Sequence, residues 1–155
     1  NTLGYGRAQT KAMVIGDHGE NMIPVPSMSS VGGVPLTELV SKEEMEQIID
    51  RTKNGGAAIV KHLGTSAYYA PGRAVAVVVE AILNDSKAIV PSSVILNGEY
   101  GYKDITVGVP VVLGSCGVER IIELNLDDET KEMFKVSVDS IQDGINILRE
   151  NNFFK

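Results

Sequence analysis

Residues 87–124 read KAIVPSSVILNGEYGYKDITVGVPVVLGSCGVERIIEL, and this stretch decides the fold class. Apolar and β-branched residues concentrate in three segments that are typical of strands, namely 87–96, 105–113 and 118–124. Turn-forming residues fill the connections between them, 97–104 and 114–117. Strands joined by short loops pair antiparallel, because a parallel pair needs a long crossover connection. We therefore expect an antiparallel sheet here.

The segments on either side of this sheet have helical patterns. Apolar residues after the sheet recur at spacings of four, three, four and three: Phe134, Val138, Ile141, Ile145 and Leu148. This spacing predicts an amphipathic helix, which starts near Asp127. Nearer the amino terminus, Ser41 and Glu44 form a capping-box pattern, and the nearly continuous apolar run at 71–83 predicts a helix buried on most sides. We expect one α+β domain over residues 1–155, with an antiparallel or mixed, twisted sheet covered by long helices.

Composition excludes several classes of function. The net charge of −6 argues against a nucleic-acid partner, because phosphate binding needs clustered Lys and Arg. The longest apolar run is interrupted by Glu80 and is too short to cross a bilayer, so no membrane partner is expected. Cys116 is the only cysteine, which makes an intrachain disulfide impossible and a reducing cytoplasm the expected location. No Cys or His residues have the spacing of metal ligands, and no metal site is predicted.

His18 is the strongest candidate for chemistry. It lies in GDHGENMIP, residues 16–24, directly after a short apolar strand predicted at 12–15. The flanking glycines let the backbone turn sharply and let a ligand approach closely. An imidazole can both accept and donate a proton near neutral pH, and His62 is the only other histidine. A loop histidine without chemistry is the alternative explanation.

The run GDHGENMIP resembles the active-site histidine motif of the lactate/malate dehydrogenase family, G-x-H-G-[DE]-x-x-V-P, with Ile23 in place of the usual Val. Further blocks resemble the same family in the same order: SVGGVPL at 30–36, GTSAYYAP at 64–71, GEYGY at 98–102, VGVP at 107–110 and GVERIIEL at 117–124. The resemblance therefore concerns nearly the whole chain.

The resemblance implies that the chain is the C-terminal, substrate-side half of a two-domain subunit. The family's other half is a Rossmann domain, in which a G-x-G-x-x-G turn seats the cofactor pyrophosphate. No such turn occurs in this sequence, so we expect the Rossmann domain to be absent from this chain and to be its partner. NAD would be bound mainly by that domain, with NADP as the alternative. No cofactor-binding residue is assigned in this chain.

The implied reaction is reversible hydride transfer between a nicotinamide and a 2-hydroxy acid. His18 would be the general acid/base, which accepts the hydroxyl proton during oxidation and returns it during reduction. The resemblance implies that the carboxylate that orients the imidazole belongs to a family segment outside this chain. Asp17 is adjacent on an extended backbone and points elsewhere. Ser66 and Ala67 match the family's substrate-pocket wall, and helix capping or packing is the alternative role for both.

The resemblance also bears on substrate and assembly. YYAP at 68–71 and GEYGY favour a malate dehydrogenase of the branch close to lactate dehydrogenase, with a 2-hydroxy or 2-oxo dicarboxylate, malate or oxaloacetate, as substrate. A lactate dehydrogenase is one alternative, and a non-catalytic association domain that keeps only the fold is another. The family implies a homo-oligomer, either a dimer or a tetramer. The isolated chain is expected to be inactive because the other active-site groups lie outside it.

Overall fold

Short strands occupy the first third of the chain, and long strands and a long helix follow later, in a computed structural model that describes residues 4–153. The described residues form these strands in chain order: β1 Thr10–Lys11, β2 Val14–Gly16, β3 Met22–Pro24, β4 Ser30–Val31, β5 Val34–Pro35, β6 Ala88–Asn97, β7 Lys103–Gly114 and β8 Gly117–Ile121. The α-helices of the same residues are α1 Lys42–Lys53, α2 Gly55–Leu63, α3 Tyr69–Leu83 and α4 Asp128–Glu150. The chain divides into two compact units, one made of Asn1–Val14 with Pro24–Ser66 and the other of Ile15–Ile23 with Ala67–Lys155.

The second unit contains the predicted antiparallel sheet. β6 pairs with β7 in antiparallel register from Ala88↔Leu113 to Leu96↔Ile105. β8 and β2 also pair with β7 in antiparallel orientation. The expectation of an antiparallel sheet from residues 87–124 is therefore confirmed.

β8 ends at Ile121, before the predicted end at 124, because β2 occupies the edge of β7 that a longer β8 would need. Residue 124 would lie opposite Gly108, and Gly108 already pairs with Gly16 of β2. A side chain then binds the backbone that follows β8. The Tyr100 hydroxyl donates to the Ile122 carbonyl at 2.7 Å and accepts from the Leu124 N–H at 2.9 Å. Burial raises the pKa of Tyr100 and so favours the neutral phenol. These hydrogen bonds satisfy backbone groups of residues 122 and 124 after the strand has ended.

The core of the second unit lies on one face of β7. Alternate residues of β7 are at most 3% exposed: Ile105, Val107, Val109, Val111 and Leu113. α3 and α4 both pack against this strand, and α4 contributes Phe134 and Val138, each 3% exposed. The predicted amphipathic face of α4 is confirmed in its first half. Toward the end of the helix Ile141 and Ile145 are half-buried and Leu148 is exposed.

The helix predicted beside Pro71 is confirmed as α3, but its predicted burial on most sides is wrong for this chain. Only Ala81 of α3 is buried. Val75, Val79 and Leu83, which we call the α3 stripe, are 62%, 45% and 79% exposed. Within the second unit α3 packs against β7, and one strand covers only one side of a helix. No described helix, α3 included, combines the length and apolar character needed to cross a bilayer.

The first unit contains a three-stranded sheet in the order β1-β4-β5, together with α1 and α2. Its capping box is confirmed at the start of α1. The Glu44 N–H donates to Ser41 Oγ at 3.2 Å, and the Ser41 N–H donates to Glu44 Oε2 at 2.9 Å. Two backbone N–H groups that a helix start leaves without partners are thereby satisfied by the sequence pattern itself.

Candidate active site

β2 carries the chain to His18. Ile15 of β2 is 1% exposed, and its neighbour Gly16 pairs with Gly108 of β7. The strand predicted at 12–15 is found at Val14–Gly16, so it ends closer to the histidine than expected. The imidazole of His18 itself is exposed. The exposed imidazole therefore lies just after a strand that is buried and paired within the sheet.

The backbones of β2 and β7 approach each other closely at Gly16 and Gly108. A Cβ atom added to Gly108 would lie 2.8 Å from the Gly16 carbonyl oxygen. A Cβ added to Gly16 would lie 2.6 Å from Ser137 Oγ and 3.2 Å from Ile23 Cδ1. Gly16 also has a φ of +89°, which side-chain-bearing residues rarely adopt. Both positions therefore need glycine, and the strand exit before His18 has little freedom to move.

Ser137 of α4 forms a hydrogen bond with the backbone at the point where the chain leaves β2. Its hydroxyl oxygen accepts a hydrogen bond from the Asp17 N–H at 2.7 Å, and the residue is 0% exposed. The sequence analysis did not select Ser137. A signal exists in the sequence, since a serine lies beside Val138 on the otherwise apolar face of α4. A buried hydroxyl on such a face needs a partner, and here the partner is the backbone of the histidine loop.

The loop is closed on its other side by Asp17. Asp17 Oδ1 accepts from the Gly19 N–H at 3.0 Å, and the Gly19 carbonyl accepts from the Met22 N–H at 3.2 Å. The first of these bonds spans His18 and is an Asx-type turn. The Asp17 carboxylate therefore binds loop backbone, in agreement with the expectation that it points elsewhere than toward the imidazole.

Ser66 and Ala67 lie in the connection between α2 and α3. Ser66 is exposed and ends the first unit, whereas Ala67 is half-buried and belongs to the second unit with His18. Tyr68 precedes α3, and no side chain caps that helix start. Helix capping, one alternative for Ser66, is therefore not observed, while the pocket role of both residues stays a prediction.

The described residues lack the features of a pyrophosphate site at two helix starts and at their strand-to-helix turns. Two of the helices begin with acidic residues, Glu43 and Glu44 in α1 and Asp128 and Glu129 in α4, and these repel phosphate groups. No glycine-rich turn connects a strand to a helix, among the residues described, in the way that a pyrophosphate site requires. Among residues 4–153, no three His, Cys, Asp or Glu side chains are grouped as a metal site would need. His18 is exposed among these residues, and an imidazole can accept and donate a proton near neutral pH.

A cluster of charged side chains in the second unit forms hydrogen bonds at the turn before β6. Lys87 Nζ donates to Asp85 Oδ1 at 2.8 Å and also contacts Glu119. Asp85, followed by Glu119, raises the pKa of Lys87, and the Ser115 N–H donates to Asp85 Oδ1 at 2.7 Å. These bonds connect the start of β6 to the turn between β7 and β8. Their groups are partners of one another, and we assign them to the stability of that turn.

Comparisons with known proteins place the chain in a family. Residues 2–151 match the family model of the lactate/malate dehydrogenase, alpha/beta C-terminal domain. Malate dehydrogenase of a Nitratiruptor species is 53% identical over 152 residues, which are 98% of this chain and 48% of that protein. Malate dehydrogenase of Sulfurimonas denitrificans is also 53% identical, over 98% of this chain and 48% of its own length. The chain spans about half the length of these curated relatives.

Solved structures give the same result. The malate dehydrogenase from Aeropyrum pernix matches with a TM-score of 0.88 and 47% identity, over 92% of this chain and 48% of that one. The lactate dehydrogenase from Eimeria maxima with NADH and oxamate matches with a TM-score of 0.88 and 37% identity, over 97% of this chain and 50% of that one. The chain therefore belongs to the lactate/malate dehydrogenase family and has the fold of that family's α/β C-terminal domain.

Proposed function

We propose that this chain is the substrate-side half of an NAD-dependent malate dehydrogenase, which interconverts (S)-malate and oxaloacetate. The proposal is supported by relatives named malate dehydrogenase that are 45–53% identical to nearly all of this chain. Because the chain matches only about half of each relative, the activity is proposed for a full-length protein with an N-terminal Rossmann domain. That domain would hold the nicotinamide, because the glycine-rich turn that seats the cofactor pyrophosphate belongs to it.

The observation that carries the proposal is the position of His18. Oxidation of a secondary alcohol releases a proton from the hydroxyl group, and a base within hydrogen-bond reach of that oxygen lowers the barrier. His18 is exposed to a substrate, while the backbone before it is buried and hydrogen-bonded to α4. In the forward direction the imidazole takes the hydroxyl proton of malate. In the reverse direction the imidazolium returns a proton to the carbonyl oxygen of oxaloacetate.

The remaining parts of the proposal concern the pocket and the assembly. Ser66 and Ala67 would form part of the wall that contacts the dicarboxylate. The α3 stripe supports a homo-oligomer, a dimer or a tetramer, because exposed apolar residues four positions apart form a continuous surface on one side of a helix. The lone Cys116 suits a reducing compartment, for which we propose the cytoplasm.

Lactate dehydrogenase is the second candidate. The observation in its favour is that the lactate dehydrogenase from Eimeria maxima matches this fold as well as the Aeropyrum malate dehydrogenase does, both with a TM-score of 0.88. Malate is preferred because the relatives with the higher identities carry the name malate dehydrogenase, at 53% against the 37% of the Eimeria enzyme.

Substrate kinetics test the assignment. The full-length protein should oxidise NADH with oxaloacetate at a kcat/KM at least about a hundredfold above that with pyruvate, because a site that pairs a second carboxylate rejects a substrate without it. A preference for pyruvate would establish the lactate alternative. Turnover of neither substrate, with NADH binding intact, would favour a non-catalytic association domain. The 155-residue chain alone should give no NADH oxidation under the same conditions.

A further inference from the structure

We propose that Ser137 is a positioning residue for His18, and that its hydroxyl positions the imidazole by fixing the Asp17 amide. This inference rests on the proposed acid/base role of His18. Ser137 lies 120 residues from Asp17 in sequence, yet its hydroxyl oxygen is 2.7 Å from the Asp17 nitrogen. Ser137 belongs to α4, which packs on the same strand, β7, that pairs with β2. The hydroxyl therefore approaches the loop from a rigid support.

The hydroxyl is also placed against Gly16. A Cβ at residue 16 would lie 2.6 Å from Ser137 Oγ, so the serine occupies the space over the last residue of β2. The left-handed φ of Gly16 turns the chain, and the bond from Asp17 N–H to Ser137 fixes the peptide plane after the turn. Together they determine the direction in which the chain leaves the strand.

His18 is the next residue, and the turn beyond it is closed as well. Asp17 Oδ1 accepts from the Gly19 N–H, so Asp17 is bonded through its own amide on one side of His18 and through its carboxylate on the other. If the Ser137 bond is lost, the Asp17 amide is no longer held by α4. The bond from the Gly19 N–H to Asp17 Oδ1 then connects to a residue that is itself free to move. An error of about 1 Å in the position of a catalytic group can reduce turnover a hundredfold.

Ser137→Ala removes the acceptor, Ser137→Thr retains the hydroxyl, and Ser140→Ala changes an exposed serine of the same helix. In the full-length protein, Ser137→Ala should lower kcat about ten- to a hundredfold with oxaloacetate and NADH. KM should change less than about twofold, because the imidazole's placement governs proton transfer rather than ground-state binding. Ser137→Thr should restore most of kcat, and Ser140→Ala should match the parent. Wild-type kcat in Ser137→Ala overturns the proposal, and so does a loss through KM alone.

Hydrogen exchange followed by mass spectrometry provides a readout that does not depend on activity. The peptide that contains residues 16–23 should exchange about five- to tenfold faster in Ser137→Ala, because one net hydrogen bond is lost. Unchanged exchange together with reduced kcat would overturn the route through Asp17. If Ser137→Ala does not fold, Ser137→Cys replaces it, because a thiol is a weak acceptor. Wild-type exchange and kcat in Ser137→Cys would then contradict the proposal.

The two proposals fail in different ways. Full activity of His18→Asn would refute the proposed acid/base role, and faster exchange in Ser137→Ala would still show that the serine holds the loop. Inactivity of His18→Asn together with wild-type kcat in Ser137→Ala would refute only the positioning role.

Discussion

The close approach of β2 and β7 predicts that Gly108→Ala destabilises the protein. The added methyl group would lie 2.8 Å from the Gly16 carbonyl oxygen and 3.7 Å from the Gly16 nitrogen. These atoms belong to backbone, which gives way less easily than the end of a flexible side chain. Gly108 does not have a positive φ, so the substitution adds no conformational strain of its own and isolates the contact. Overpacking of this kind costs about 1–3 kcal/mol of unfolding free energy.

Gly144→Ala is the matched control for this substitution. Gly144 lies in α4, and a Cβ there would meet no atom within 4 Å. Alanine in a helix interior is favoured over glycine by about 0.5–1 kcal/mol, so the same chemical change should stabilise the protein at this position. Unfolding of the full-length protein in increasing urea, at one fixed protein concentration, measures both effects. A Gly108→Ala variant as stable as the parent, or more stable, would refute the close-packing argument.

Three other predictions concern α1, α4 and the α3 stripe. Ser41→Ala removes the side-chain half of the capping box and should lower the unfolding free energy by about 1 kcal/mol, measured in urea. Hydrogen bonds from Thr130 lower the pKa of Asp127 below its ordinary value of 3.8. The stabilising effect of the Asp127 carboxylate is therefore present above about pH 4 and is lost as the pH falls further. Asp127→Asn should reduce the loss of unfolding free energy between about pH 6 and about pH 3. In sedimentation equilibrium, Val79→Glu should lower the mass of the full-length oligomer. The control Val136→Glu, on the exposed side of α4, should leave the mass unchanged. An unaltered mass in Val79→Glu would exclude the α3 stripe from the interface.

Features determined by neighbouring residues could be predicted from the sequence. The capping box at Ser41 and Glu44 is such a feature, since both partners lie within one helical turn. The antiparallel pairing of residues 87–124 is another, because the short connections leave few alternatives. The family motif around His18 likewise identified the loop that the structure places at the end of β2.

Features determined by distant residues could not be predicted in the same way. The Ser137–Asp17 bond joins residues 120 apart, and no local pattern specifies such a contact. The early end of β8 depends on β2, whose Gly16 pairs with Gly108 on the edge of β7 that a longer β8 would need. The degree to which α3 is exposed depends on a third factor. An apolar sequence predicts that a surface will be covered, and it does not say that the cover lies within the same chain.

The central claim is that His18 transfers the proton in this reaction, and a pair of histidine variants tests it most directly. His18→Asn should lower the kcat/KM of the full-length protein for oxaloacetate about 10²–10⁴-fold, the usual contribution of a general acid/base. His62→Asn, which changes the exposed histidine in the last turn of α2, should leave kcat/KM unchanged. Binding of NADH, followed by its fluorescence, should be the same in both variants and the parent. Wild-type kcat/KM in His18→Asn would contradict the account.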